Sequence, residues 1–91
     1  MPDFAELERV FMDVRAVVAL PENDFTWSSW IDADQALAEI ESIIEKIRQG
    51  KFPVSADVLF LPTGPLQELS LSSGWGDEFI VLANRFDSAK K

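Results

Sequence analysis

The chain has 91 residues, 47% apolar and 26% charged, with no cysteine, no histidine and a formal net charge of −8. This apolar fraction is ordinary for a folded protein and predicts one domain with its own core, residues 1–91. The missing residue types exclude disulfides, thiolate nucleophiles and Ser–His or Cys–His pairs, and they argue against a conventional zinc site. We therefore expect no enzyme, no metal and no cofactor.

The negative charge is concentrated in the first half of the chain. Residues 1–50 hold eleven acidic and four basic residues, net −7, whereas residues 51–91 hold five acidic and four basic ones, net −1. An acidic surface repels phosphate backbones and anionic lipids, so we expect no nucleic acid and no membrane partner, and a basic protein partner instead. With no bilayer-length apolar run and no signal-peptide pattern at the N-terminus, a cytoplasmic location is expected.

The first third of the chain predicts a helix and then a strand. Residues 3–19 are predicted to form a helix, because their apolar residues recur three or four positions apart. Pro21 ends this helix. A turn at 22–24 leads to residues 25–31, whose aromatic and β-branched side chains favour a strand. An ordered aromatic loop is the alternative. The stripe of the first helix is Phe4, Leu7, Phe11, Val14 and Val18.

The second predicted helix runs from an N-cap at Asp32 towards Gly50. Gln35 stands at the capping-box spacing, and Gly50 suits a left-handed residue beyond the C-terminus. Asp32 and Asp34 together do not make a calcium loop, because the required glycine is absent. The buried stripe of this helix is Leu37, Ile40, Ile43, Ile44 and Ile47.

Two strands and a third helix are predicted for the rest. The all-apolar run 58–61 is typical of a central strand, residues 62–65 of a tight turn, and the alternation in 66–71 of an edge strand. The alternative for the last segment is a short helix with Gly64 as N-cap, Pro65 as its first residue and Gln67 as its third. Residues 75–88 predict the final helix, with Ser73 or Gly74 as its cap.

These elements add up to an α+β fold in the order α-β-α-β-β-α. A right-handed crossover would place the strands 25–31 and 58–61 parallel, with 66–71 returning antiparallel. The result is a small three-stranded mixed sheet with 58–61 central and helices packed on it.

Seven residues are candidates for binding a partner. If residues 25–31 are extended, two tryptophans face opposite ways, and one of them is an exposed anchor with an acidic rim. A third tryptophan projects from a glycine-flanked helix entrance beside two acids. The structural alternative for each tryptophan is a place in the core, and the two acids also suit the helix dipole. The candidates are Trp27, Trp30, Glu22, Asp24, Trp75, Asp77 and Glu78.

The sequence predicts a small, acidic, non-catalytic protein-interaction module. In its sharpest form, this is an inhibitor or immunity-type protein that neutralises a basic partner. One alternative is a small-ligand binder with a pocket between the turn 62–65, the loop 72–76 and Trp27. The other is a homodimer that buries Trp30 or a sheet edge against its copy.

Overall fold

Helices form all the regular secondary structure of the computed structural model, which describes residues 2–26, 30–61 and 64–91. The predicted α+β fold with its three-stranded sheet is therefore wrong, since no strand occurs in these ranges. The helices are α1 (Phe4–Val18), α2 (Ala33–Arg48), α3 (Val54–Leu59), α4 (Pro65–Ser73) and α5 (Gly76–Ala89).

Helices α1 and α2 confirm the predictions made from their period, and α2 also confirms its predicted caps, whereas the Asp3 cap of α1 was not predicted. The Asp3 carboxylate accepts a hydrogen bond from the Glu6 N–H at 3.1 Å, and the Asp32 carboxylate accepts one from the Gln35 N–H at 2.9 Å. These bonds satisfy backbone donors that a helix leaves open in its first turn. Beyond α2, Gly50 has a φ of 76°, the left-handed conformation expected there.

The strand prediction for residues 25–31 is wrong for the residues of that segment that the structure describes. Residues 25, 26, 30 and 31 lie in the connection between α1 and α2, with no strand pairing. The start of the connection is held by side chains instead, because Ser72 and Ser73 of α4 bond the backbone of Asp24. The described ends of this segment are therefore part of a loop, while residues 27–29, with Trp27, lie outside the described residues.

The run 58–61 covers the last two residues of the short helix α3 and the turn that follows it, and is not a central strand. Leu59 is buried in the core, but Val58 and Leu61 are exposed to solvent on the other side of the turn. Four consecutive apolar residues fit a doubly buried strand and one helical turn equally well, so the period alone could not separate them. Pro53, with extended backbone, precedes the first turn of α3.

The segment 65–73 adopts the helical alternative. Leu69 and Leu71 would share a face in a strand, yet Leu69 is fully buried and Leu71 is 70% exposed, as expected for a helix. Gly64 precedes the helix at a point where a Cβ would lie 2.8 Å from the Val58 carbonyl oxygen, so a larger residue does not fit. Gly74 closes the helix with a φ of 84°.

Helix α5 confirms the predicted final helix but not its cap. Trp75 stands at the N-cap position without a capping bond from its side chain, while Gly74 serves the end of α4. Helix α1 lies between the other two long helices and packs against α2 on one side and α5 on the other. Helix α4 packs on α5 and α3.

Phe86 of α5 lies at the centre of an aromatic cluster in the core. Its ring stacks on Phe60 with centroids 4.4 Å apart and meets Phe11 edge to face at 5.8 Å. Phe52 approaches the same ring at 5.9 Å. The cluster joins α1, α5 and the two ends of α3, so these rings carry much of the burial that holds the short helix in place.

Candidate protein-binding groove

A groove of about 470 Å³ lies between α1 and α5 on the surface of the molecule. Its floor is apolar, and Val81 in that floor is 57% exposed to solvent. Exposed apolar side chains in a concave surface are typical of binding sites. The groove is lined by Asp13, Ala16 and Val17 of α1 and by Asp77, Glu78, Val81, Leu82 and Arg85 of α5.

The lining residues come together because each helix presents one stripe to the groove. Asp77, Val81 and Arg85 follow one another at four-residue steps, which places them on one side of α5. Asp13 and Val17 are spaced in the same way on α1. The packing of α1 on α5 brings these two stripes face to face.

Arg85 is held by carboxylates of α1 at one end of the groove. Its guanidinium donates to Asp13 at 2.7 Å and to Glu6 at 3.3 Å. The hydrogen bond that Arg85 donates to Asp13 is the main cause that raises the pKa of Arg85 above its ordinary value. The pKa of Glu6 is lowered, first by its hydrogen bond with Arg9 and then by the one with Arg85. This cation is therefore already engaged within the chain.

Asp77 and Glu78 give the other end of the groove its negative charge. Neither carboxylate forms a salt bridge with any residue that the structure describes. Both side chains are exposed and lie in the first turn of α5, where the helix dipole favours negative charge. The groove therefore combines an apolar floor with carboxylates that are open to a cation from outside.

Trp75, another candidate, is buried next to this groove. It is 6% exposed, and its indole N–H donates to the Asn23 side-chain oxygen at 2.8 Å. The amide nitrogen of Asn23 in turn donates to the carbonyl oxygens of Val17 and Val18, each at 2.8 Å. Trp75 thus helps to close the C-terminal end of α1, and its ring is not on the surface.

Asp24 and Glu22 lie in the connection that follows α1. The backbone N–H of Asp24 donates to the Ser73 hydroxyl at 2.9 Å, and the Ser72 hydroxyl donates to the Asp24 carbonyl at 2.8 Å. Hydrogen bonds from the side chain and backbone N–H of Thr26 lower the pKa of Asp24. Asp24 therefore anchors its loop to α4, while Glu22 is exposed.

Trp30 is buried beside α2, with 3% of its surface exposed. Its indole N–H donates to the Glu39 carboxylate at 2.7 Å. The ring is not available to a partner in this structure. Trp27, Pro62 and Thr63 lie outside the described residues, so the predicted small-ligand pocket around them stays a prediction.

Of the seven candidates, the groove contains Asp77 and Glu78. Sequence reasoning missed Asp13, Val81 and Arg85, although a signal for the last two exists. Starting from Asp77, steps of four residues trace a second stripe along the final helix, beside the buried one. The partner stripe on α1 has no such signal, because its position depends on how the two helices pack.

Other kinds of site find no support in the described ranges. They contain no group of three or more acidic side chains arranged to hold a metal ion. None of their helices combines the length and the apolar character needed to cross a membrane. Comparison of the chain with protein-family models, curated proteins and solved structures finds no match.

Proposed function

We propose that this chain is a non-catalytic protein-interaction module whose groove between α1 and α5 binds a basic segment of another protein. In its sharpest form, it is an inhibitor or immunity-type protein that covers a basic surface of its partner. The observation that carries the proposal is the exposed apolar floor around Val81 beside the carboxylates of Asp77 and Glu78, which form no salt bridge with the described residues. We propose a cytoplasmic location as well, where a chain without cysteine is at no disadvantage.

The two features of the groove would act at different stages of binding. The net charge of −8 attracts a cationic partner over a distance and speeds the encounter. Burial of the apolar floor then stabilises the complex, in the way that an apolar centre with a polar rim does at other interfaces. A lysine or arginine of the partner would meet Asp77 and Glu78, which have no cation of their own among the described residues.

The same carboxylates disfavour self-association through this groove. Two copies would bring identical acidic rims together, and like charges facing each other across an interface are unfavourable. The occupant that fits the groove is therefore a basic segment of a different protein.

The test captures the partner from a lysate of the source cells with the immobilised chain at low salt. The variants are Asp77→Lys and a matched control, Asp34→Lys. Each aspartate is the second residue of its helix, so both substitutions change the net charge and the helix dipole equally. We expect Asp77→Lys to weaken binding of the captured protein about tenfold or more and Asp34→Lys to have a much smaller effect.

The identity and salt response of the captured protein complete the test. A basic protein whose affinity falls as salt rises supports the proposal. Equal weakening by Asp77→Lys and Asp34→Lys would show that only the net charge matters. An unchanged affinity in Asp77→Lys, or a failure to capture any protein at low salt, would reject binding at the groove.

A homodimer remains a second candidate, on a different surface. Val54 and Val58 of α3 and Leu61 just beyond its end follow one another at four and three residues, and all three are exposed, Val54 by 78%. Such a stripe would be covered if α3 packed against its copy. The two homodimer interfaces expected from the sequence lose their basis. Trp30 is buried in its own chain, and no sheet edge occurs in the described ranges.

Light scattering distinguishes the homodimer from the monomer. A doubled mass that returns to 10.2 kDa in Val58→Glu would support pairing through α3. The exposed Leu71→Glu serves as the control on α4. A single-chain mass at high protein concentration would exclude the homodimer and leave the proposal for the groove unaffected.

A further inference from the structure

The concave surface continues from the groove across the outer side of α1. A second depression of about 430 Å³ shares Asp13 and Arg85 with the groove. A third, of about 330 Å³, lies between α1 and α2 and shares Met12 with the second. Shared lining residues make the three depressions neighbours. We call this combined surface the α1 channel; it runs over α1 from residue 5 to residue 17, with α2 on one side and α5 on the other.

The outward residues of α1 have the spacing of a helix-packing seam. Ala5, Arg9, Met12 and Ala16 follow one another at four, three and four residues. Residues at these steps lie in a line on one side of any helix, so a helix laid over this side would contact all four. The line includes Arg9, whose guanidinium is paired with Glu6 at 2.9 Å. The alanines permit close approach, and Met12, which is 44% exposed, adapts its shape to an apolar neighbour. The seam on the outer side of α1 has no partner within the described part of the chain.

The dimensions of the channel suit a helix of about three turns. Residues 5–17 are twelve steps apart, which corresponds to about 18 Å along the axis at the rise of an α-helix. A helix placed over α1, between α2 and α5, would form the fourth member of a bundle.

The charges along the channel determine where a basic partner must carry its cations. On the α2 side, Arg15 bonds Glu41 at 2.8 Å and Arg48 bonds Glu8 at 2.9 Å. At the middle of the channel, Arg85 is engaged by Asp13. Glu45 on the α2 side accepts a hydrogen bond from the Gln49 side chain at 3.3 Å, and the lining there balances two glutamates with two arginines. The excess of carboxylates therefore lies at the start of α5, with Asp77 and Glu78. The partner therefore needs apolar residues over Met12 and basic residues at the end next to α5.

We infer that the partner element is an amphipathic helix of about three turns that lies in the α1 channel, with lysine or arginine at the end next to Asp77 and Glu78. This inference rests on the proposed function and adds the conformation, length and direction of charge of the bound segment. The helix buries its apolar stripe on the seam of α1, and its basic end neutralises the carboxylates of the groove.

The test uses two synthetic peptides with blocked ends and the ¹⁵N-labelled chain. The first peptide has leucines at alternating spacings of three and four over three turns and lysines at one end. The second has the same composition in an order that destroys the stripe. We expect the first peptide to shift amide signals over residues 5–17 and 77–85 and to bind about tenfold or more tightly than the second.

Two variants examine the seam itself. Met12→Glu places a charge under the apolar stripe and should weaken the first peptide about tenfold, whereas Met12→Leu should retain its affinity. Because Met12 is a surface residue, circular dichroism should show both variants folded. A variant that is folded by circular dichroism but binds the first peptide more weakly therefore has a damaged seam and not a damaged fold.

The outcomes separate this inference from the proposed function. Equal binding of the two peptides, or shifts confined to residues 77–85, would overturn the helix and leave the groove in place. Unchanged binding of the first peptide to Asp77→Lys would contradict the groove as the basic site. If neither peptide binds, the helix in the α1 channel is rejected, and capture from the lysate alone decides the proposed function.

Discussion

The two sides of α1, one packed on α2 and the other on α5, differ in how their charged residues are paired. We call them the α2 flank and the α5 flank. On the α2 flank, Arg15 and Arg48 each pair with a glutamate across the helix boundary. On the α5 flank, Arg85 is paired, but Asp77 and Glu78 have no salt-bridge partner among the described residues. The depression on the α2 flank is lined by two arginines and two glutamates, whereas the groove on the α5 flank is lined by three acidic residues and one arginine. The α5 flank therefore has an excess of negative charge available to another molecule. This difference is why we place the binding site on the α5 flank.

The flanks also differ in what lies beneath them. Under α2 the core is aliphatic, with Ile40, Ile43 and Ile47 buried. Under α5 the cluster around Phe86 connects α5 to α1 and to the short helix α3. A binding surface on α5 is therefore supported by rings that are packed together and hold their positions.

The largest expected effect is a loss of stability when the aromatic cluster beneath the α5 flank is disrupted. Phe86→Ala should lower the free energy of unfolding by about 3–5 kcal/mol, because it leaves a cavity among three other rings. Ile47→Ala, equally buried under α2, is the matched comparison, with a loss of about 2–5 kcal/mol for its smaller side chain. Urea unfolding followed by circular dichroism measures both. A loss well below about 3 kcal/mol for Phe86→Ala would contradict a central role of the aromatic cluster.

A smaller loss of stability is expected when either of the two described tryptophans loses its indole hydrogen bond, and the size of the loss should differ between them. Trp30→Phe removes a hydrogen bond to the charged Glu39 and should cost about 1.5–3 kcal/mol, whereas Trp75→Phe removes one to the neutral Asn23 and should cost about 0.5–1.5 kcal/mol. Both substitutions keep an aromatic ring in the core. Urea unfolding measures the difference, and stability unchanged in Trp30→Phe would favour its sequence-based role as a surface anchor.

The smallest expected effect is on the dependence of stability on pH in the acidic range. Arg9 and Arg85 lower the pKa of Glu6 below its ordinary value of 4.5, so the folded state holds this carboxylate ionised more strongly than the unfolded state. Its contribution is therefore present above the unfolded pKa and is lost as the pH falls through the folded pKa. Glu6→Gln should flatten the dependence of melting temperature on pH below about pH 4.5. Parallel curves for the two proteins would show that Glu6 adds nothing, as many surface ion pairs do.

The candidate site could be predicted in part from the sequence. Asp77 and Glu78 were candidates because two carboxylates stand together in the first turn of a helix. Val81 and Arg85 follow on the same stripe, but nothing in the sequence assigns that stripe to α1. The tryptophans were a weaker guide, since Trp30 and Trp75 have polar partners inside the structure and do not need a second molecule.

The sequence by itself determined the three long helices and the acidic surface. α1, α2 and α5 each repeat their apolar residues over at least three turns, which no strand reproduces. The short segments 58–61 and 65–73 were decided by the tertiary structure, because a few apolar residues fit either a strand or one side of a helix. The groove too exists only in the folded chain, since its two stripes meet through the packing of α5 on α1.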